Sequence, residues 1–315
     1  MQYKLSCGSV ICLFNSSDYL VSLLESLSKQ EVLLDQVVFV NDASSDDTID
    51  RLSLLLHTYK VAREVFIVDL KNNVGVSTAF NIGLSQISVD LLFFTGHDDI
   101  WMHNRVARTL DYVKKNQESA FFFSSYQCFG SLTTTINCPT THAEVMLRFL
   151  IGNCIGAITV AIRLDKIDKI NIRLNSRFDG AEDYDLWTDI YMAGFLSSPI
   201  NEILMKYRVS SKQMSRNFDY SSRPVDKFVR SKYLNNMLVG LNDYDINIII
   251  MSIFAPEKAL ELMAEPSVLG RVEFLILWAA SMSEKSKVAI FYNLIYQILS
   301  KNVNAFKGLG SNQVA

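Results

Sequence analysis

The sequence predicts an α/β protein built on a parallel sheet covered by helices. Two features predict it. Short β-type apolar runs alternate with helical stripes through the first half of the chain, and the residues just after those runs are polar or acidic, as they are where open α/β sheets bind ligands. A length of 315 residues, 49% of them hydrophobic, supplies a large core for one domain or for a main domain with an appendage.

Four strands are legible, at Ser9 to Phe14, Val37 to Val40, Val65 to Val68 and Leu91 to Phe94. Each is nearly continuous in apolar residues, as strands buried on both faces should be. Between them, Leu20, Leu23, Leu24 and Leu27 follow helical spacing behind a cap at Ser16 or Ser17. Ile49, Leu52, Leu55 and Leu56 form a second stripe, opened by Asp46 and Asp47, whose charges suit a helix N-terminus. Core is the expected place for all of these apolar positions. From Asp226 onward the pattern turns mainly helical, with apolar sets at Phe228, Leu234, Met237 and Leu238 and at Val288, Phe291, Ile295 and Ile298. These sets read as core packing or contact with a second copy of the chain, with docking on a membrane surface as the lesser alternative.

Composition excludes several classes. A net charge of -3 gives no general basic surface for nucleic acid. Five cysteines without a CxxC pair read as reduced thiols, and with no secretory leader visible the expectation is a cytoplasmic protein. The longest apolar runs, such as Ile248 to Phe254, fall far short of the ~20 residues of a membrane span. Peripheral attachment to the inner face of a membrane stays open. No GxxxxGK and no GxGxxG is present, which counts against P-loop and dinucleotide enzymes.

At the carboxyl ends of the strands stand Asn15, then Asn41 and Asp42, then His97, Asp98 and Asp99. Acidic groups converging on one sheet edge repel unless a cation or hydrogen-bond donors lie between them, so a metal and a polyhydroxylated ligand are expected there.

The stretches SVICLFNSSDYL, VVFVNDASSDDT, NNVGVSTAFNIGL and LLFFTGHDDIW resemble, in order and spacing, the opening motifs of family 2 glycosyltransferases. FDGAEDYDLW resembles the segment that carries the family's catalytic base, and YRVSSKQMS is similar to its YRxHxxQxS segment. The resemblance covers roughly residues 5–215 and implies a GT-A catalytic domain over 1–215, an α/β fold with a mixed, mainly parallel sheet and helices on both faces, leaving a helical C-terminal region at 216–315. It implies inverting transfer of a sugar from a UDP- or dTDP-sugar to a saccharide or lipid-diphosphate-linked acceptor in the synthesis of an O-antigen or capsule-like polysaccharide.

Residue by residue, the resemblance places Asp98 and then Asp99 on Mn²⁺ or Mg²⁺, and Asp183 as general base. It places Phe14, Asn15, Asp42, Asn73 and Asn81 around the nucleotide, and Arg208 and Lys212 on the diphosphate. Most of them have a plainer alternative. Asp99 could cap the helix carrying Val106, Leu110 and Val113, Asp42 could form a turn, and Phe14 could be core. Asn73 and Asn81 could shape a loop. Glu182, Asp183 and Asp185 could serve as an acidic first helical turn, and Arg208 and Lys212 as part of a solvated basic run from Met205 to Lys232. Two positions depart from the family pattern: Gly96 stands where the DxD segment starts with an acid, and Ser210 where the YRxHxxQ segment has histidine. They motivate the alternative of a non-catalytic sugar-nucleotide-binding protein; a nucleotidyltransferase is the other alternative.

Overall fold

The structure, a computed structural model, describes residues 5–149, 152–210 and 224–237. The expected alternation is present. Strand β1 (Cys7–Leu13) leads through a 3₁₀ turn to helix α1 (Leu20–Ser28), then come β2 (Leu34–Asn41), α2 (Thr48–Leu56), β3 (Ala62–Asp69) and α3 (Val76–Gln86). After these follow β4 (Leu91–Phe93), β5 (Ile100–Trp101), α4 (Arg105–Lys115), β6 (Phe121–Gly130), β7 (Thr134–Ile136), α5 (His142–Arg148), β8 (Ala161–Arg163), α6 (Glu182–Met192), β9 (Ser197–Val209) and α7 (Pro224–Met237).

The nine strands among the described residues join one sheet in the order β3-β2-β1-β4-β8-β6-β9-β5, with β7 attached to β6. The leading strands β3, β2, β1 and β4 are parallel. Strand β8 then runs antiparallel to both β4 and β6, and β5 antiparallel to β9, which makes the sheet mixed. The core against β1 and β2 is built from the α1 stripe, with Leu20, Leu23, Leu24 and Leu27 all fully buried. On α3, a Cβ at Gly83 would lie 2.5 Å from a methyl of Val10 and 2.7 Å from one of Val40. Glycine therefore lets the helix backbone seat directly on the sheet.

Two expectations need correction. Neither Ser16 nor Ser17 caps α1: the Ser16 hydroxyl accepts from the Phe14 amide, and a 3₁₀ turn over Ser17–Tyr19 enters the helix instead. The Val65 to Val68 strand is not buried on both faces. Among the described residues it is the outermost strand, and Val65, Phe66 and Ile67 are 36%, 41% and 40% exposed.

The described residues fall into two compact units, one of 5–142, 153–210 and 224–229, the other of 143–149, 152 and 230–237. In the second, the Tyr233 hydroxyl donates to the Met146 carbonyl and its ring meets Phe149 edge-on. No helix among the described residues is long and apolar enough to cross a membrane. Of the expected C-terminal helices, the part at Pro224–Met237 is helical, and the rest lies outside the described residues.

Candidate active site

The ends of β1 and β2 are tied to each other through side chain to backbone bonds. Asn15 takes a left-handed backbone at φ 48°, and its side-chain oxygen accepts from the Ser45 amide at 2.8 Å. Asp42 is buried, and each of its carboxylate oxygens accepts a backbone amide, one from Val74 at 2.7 Å and the other from Gly75 at 3.0 Å. Asn73 closes the clip by donating to the Asp42 carbonyl. Asp42 therefore does not close its own turn, where the Asn41 side-chain oxygen accepts the Ser44 amide; its carboxylate fixes the loop that begins α3. Each carboxylate oxygen has a second lone pair for a ligand donor. Phe14 is 46% exposed, which rules out the core alternative and leaves its ring available at the end of β1.

On α3, the Asn81 side chain is engaged on both atoms by the backbone of Leu174, donating to its carbonyl at 2.7 Å and accepting its amide at 2.9 Å. Ser77 donates to Asp179 at 2.8 Å. These three bonds fasten the segment that precedes α6 to α3, so the element carrying Asp183 is registered against the loop that Asp42 organises. Nothing in the spacing of the sequence signalled this role for Asp179.

The second cluster lies between β4 and β5. Asp99 is 1% exposed; one oxygen accepts the Arg208 amide at 3.0 Å, and the other has no hydrogen-bond partner. Burial, reinforced by the charge of Asp98, pushes the Asp99 carboxyl up to about 8. Asp98 is half-buried, and its backbone carbonyl accepts from Nε of Arg208. The Arg208 guanidinium lies over Tyr19 at 5.1 Å and Phe129 at 4.5 Å, and His97 also meets Tyr19, so the loops after β1 and β4 come together around that ring. Burial pulls His97 below its ordinary value, with Asp98 opposing. Beneath the loop, Arg105 is fully buried, stacked 3.9 Å from Trp101 and donating to the carbonyls of Phe94 and Val160.

This geometry gives the physical reason for Gly96. A Cβ there would lie 2.5 Å from an Asp99 oxygen and 3.2 Å from an Asp98 oxygen. Both carboxylates line the space that the missing side chain leaves, and an acid at this position would both clash with and repel them. No group of three or more His, Cys, Asp or Glu side chains able to hold a metal occurs among the described residues. A partnerless buried carboxylate oxygen beside a second carboxylate does fit an ion held by one or two protein carboxylates and completed by substrate oxygens.

Asp183 stands half-buried in the first turn of α6. Its carboxylate accepts from the Asn153 side chain at 2.8 Å and from the Tyr184 amide at 2.8 Å. Asn153 is itself held by the Ile155 amide, which bonds its side-chain oxygen. Its position thirty residues upstream carries no motif, so only the fold reveals the pairing. Tyr184 and Trp187 are fully buried, and Trp187 packs edge-on against Phe94 and Phe121; they anchor the helix in the core. Lys212 lies outside the described residues.

The profile of Glycosyl transferase family 2 matches residues 9–165, spanning β1 through β8. The chain belongs to this family. It is a glycosyltransferase of GT-A fold, and relatives from Haemophilus influenzae and Bacillus subtilis bear glycosyltransferase names. The UDP-Glc:alpha-D-GlcNAc-diphosphoundecaprenol beta-1,3-glucosyltransferase WfaP of Escherichia coli is 26% identical over 214 residues, 66% of this chain and 79% of that protein. Among solved structures, S. aureus TarS 1-349 in complex with UDP-GlcNAc superposes with a TM-score of 0.62 at 16% identity, covering 94% of this chain and 92% of that one. The mannosyltransferase PcManGT of Pyrobaculum calidifontis, in complex with GDP-Man and Mn2+, gives 0.55 at 15% identity, with 97% and 89% covered.

Proposed function

We propose that this family 2 glycosyltransferase moves a sugar, with inversion, from a UDP- or dTDP-sugar to a hydroxyl of a saccharide or lipid-diphosphate-linked acceptor in polysaccharide synthesis. The observation that carries the reading is Asp183: a half-buried carboxylate oriented by Asn153 at the start of a helix whose entry is fastened to the Asp42 loop. As the acceptor oxygen forms its bond to the anomeric carbon and the bond to the diphosphate breaks, Asp183 receives the hydroxyl proton. Asn15, Asp42 and Asn73 form the nucleotide cradle, with Phe14 as its exposed ring, and Asn81 shapes it through Leu174. Arg208, held between Tyr19 and Phe129, supplies a cation for the diphosphate.

Asp98, with Asp99 behind it, would hold Mn²⁺ or Mg²⁺, which when bound stabilises the charge of the departing diphosphate. Of the two, Asp98 is the first choice, since Asp99 is 1% exposed and spends one oxygen on the Arg208 amide. The donor class is supported by the UDP-GlcNAc bound in TarS and by the UDP-Glc in the name of WfaP, the lipid-linked acceptor by the diphosphoundecaprenol in that name, and the metal by the Mn2+ in PcManGT. A cytoplasmic place on the membrane face follows from such an acceptor.

Thermal stabilisation by UDP- and dTDP-sugars with and without Mn²⁺ tests the donor and metal, and the anomeric configuration of the product by NMR tests inversion. A metal-dependent shift with one nucleotide class and an inverted product are expected; retention of configuration overturns the Asp183 mechanism.

A further inference from the structure

The two ends of the sheet are managed differently. At one end β5 is two residues long, which leaves little open edge. At the other, β3 is eight residues long, AREVFIVD, pairs with β2 without a register break, and has no proline, glycine or lysine to discourage a further strand. At its centre Val65, Phe66 and Ile67 are each more than a third exposed.

The direction of its free backbone groups is fixed by one bond. The Leu70 amide donates to the Asn41 carbonyl of β2. Because the amide and carbonyl of one residue point to the same side of a strand, even-numbered residues of β3 face β2. The backbone groups of Arg63, Val65, Ile67 and Asp69 therefore point outward. We infer that β3 pairs antiparallel with β3 of a second copy of this chain, about a two-fold axis through Phe66.

Three features select that partner and register. Centring on Phe66 sets outward-facing Val65 opposite outward-facing Ile67, so both exchange hydrogen bonds; a one-residue slip would face bonded groups against open ones. The same register sets Arg63 opposite the second copy's Asp69, twice by symmetry, on the face shared by Val65 and Ile67. Moving the axis to Val65 sets Arg63 opposite Ile67 instead, and moving it to Ile67 sets Arg63 opposite Lys71, a like charge. Within its own chain Arg63 uses Nε on Asp35 and Asp69 uses one oxygen on Asn41, which leaves the remaining guanidinium groups and the other carboxylate oxygen for the second copy.

A single strand edge buries less surface than the roughly 1,200 Å² of the smaller stable interfaces, so the dimer is weak and concentration-dependent. Sedimentation equilibrium of the full chain from low to several hundred micromolar tests it. The expected result is a reversible dimer in the parent, loss of the dimer in Arg63→Asp and in Asp69→Arg, and its return in the double exchange. Ile67→Lys, whose side chain is exposed, removes the dimer without relying on the charge pair. Monomer at every concentration overturns the inference, as does a dimer that survives both single reversals and Ile67→Lys. A monomer whose β3 amides resist hydrogen exchange would place another part of the chain on the edge and overturn it equally.

Discussion

The loops that follow β1 and β2 and the loop that carries Asp98 and Asp99 sit on the same GT-A sheet but hold their buried carboxylates differently. In the first pair, Asn15, Asp42 and Asn73 spend their side chains on backbone of neighbouring loops, and both Asp42 oxygens hold an amide. In the second, Asp99 keeps a buried oxygen with no partner and a raised pKa, and Asp98 opens on the space above Gly96. The contrast separates scaffold from chemistry: saturated groups such as Asp42 fix a loop's shape, and the unpartnered buried oxygen of Asp99 leaves an electrostatic demand that a ligand can meet.

Substitutions should sort along that line, read by turnover and melting temperature together. Asp183→Asn is expected to lower turnover by about 10³-fold, within the range of a lost general base, with a melting temperature close to the parent's. A residual rate within a few-fold of the parent would place the base elsewhere. Asp42→Ala should instead cost about 3 kcal/mol of stability, because it strands two amides that now bond a carboxylate; urea unfolding measures it. If Asp42→Ala loses donor binding with full stability, the scaffold side of the comparison fails.

Asp98→Ala should abolish the metal-dependent part of a donor stabilisation that totals about 2.7 kcal/mol in the parent at ligand a hundredfold above Kd, without unfolding the ligand-free protein. Asn153→Ala should lower kcat about tenfold, the equivalent of one hydrogen bond to Asp183, while leaving donor binding unchanged; an altered donor affinity would move Asn153 out of the acceptor side.

The smallest effect belongs to an ion pair outside both regions. Arg108 forks onto Glu202 and holds that carboxyl below its ordinary range, mainly through their hydrogen bonds. A carboxyl depressed in the folded state adds stability above its unfolded pKa and loses it as pH falls through the folded one. Glu202→Gln should therefore cost about 0.5 kcal/mol at pH 7, a difference that vanishes in acid unfolding measurements.

Much of this was legible before any coordinates. The strands β1, β2 and β4, the helices α1, α2 and α4, and the family itself follow from local spacing and motif order, since apolar periodicity and turn chemistry act within a few residues. The edge position of β3 was not legible: a run such as VFIV reads as doubly buried until pairing order is known, and that order is set by contacts far apart in the chain. Nor did Gly96 explain itself in the sequence, because its reason is the placement of Asp99 against the Arg208 amide on β9, which is 109 positions away.

By itself, then, the sequence determined which elements form and which acids stand at their ends, because both depend on short-range chemistry. Tertiary structure decided which of those acids are satisfied, that Asn153 and not a neighbouring residue orients Asp183, and that the Val65–Ile67 run faces solvent. Burial and hydrogen-bond partnership are properties of where the chain returns, and in this protein those returns join residues thirty to more than a hundred positions apart.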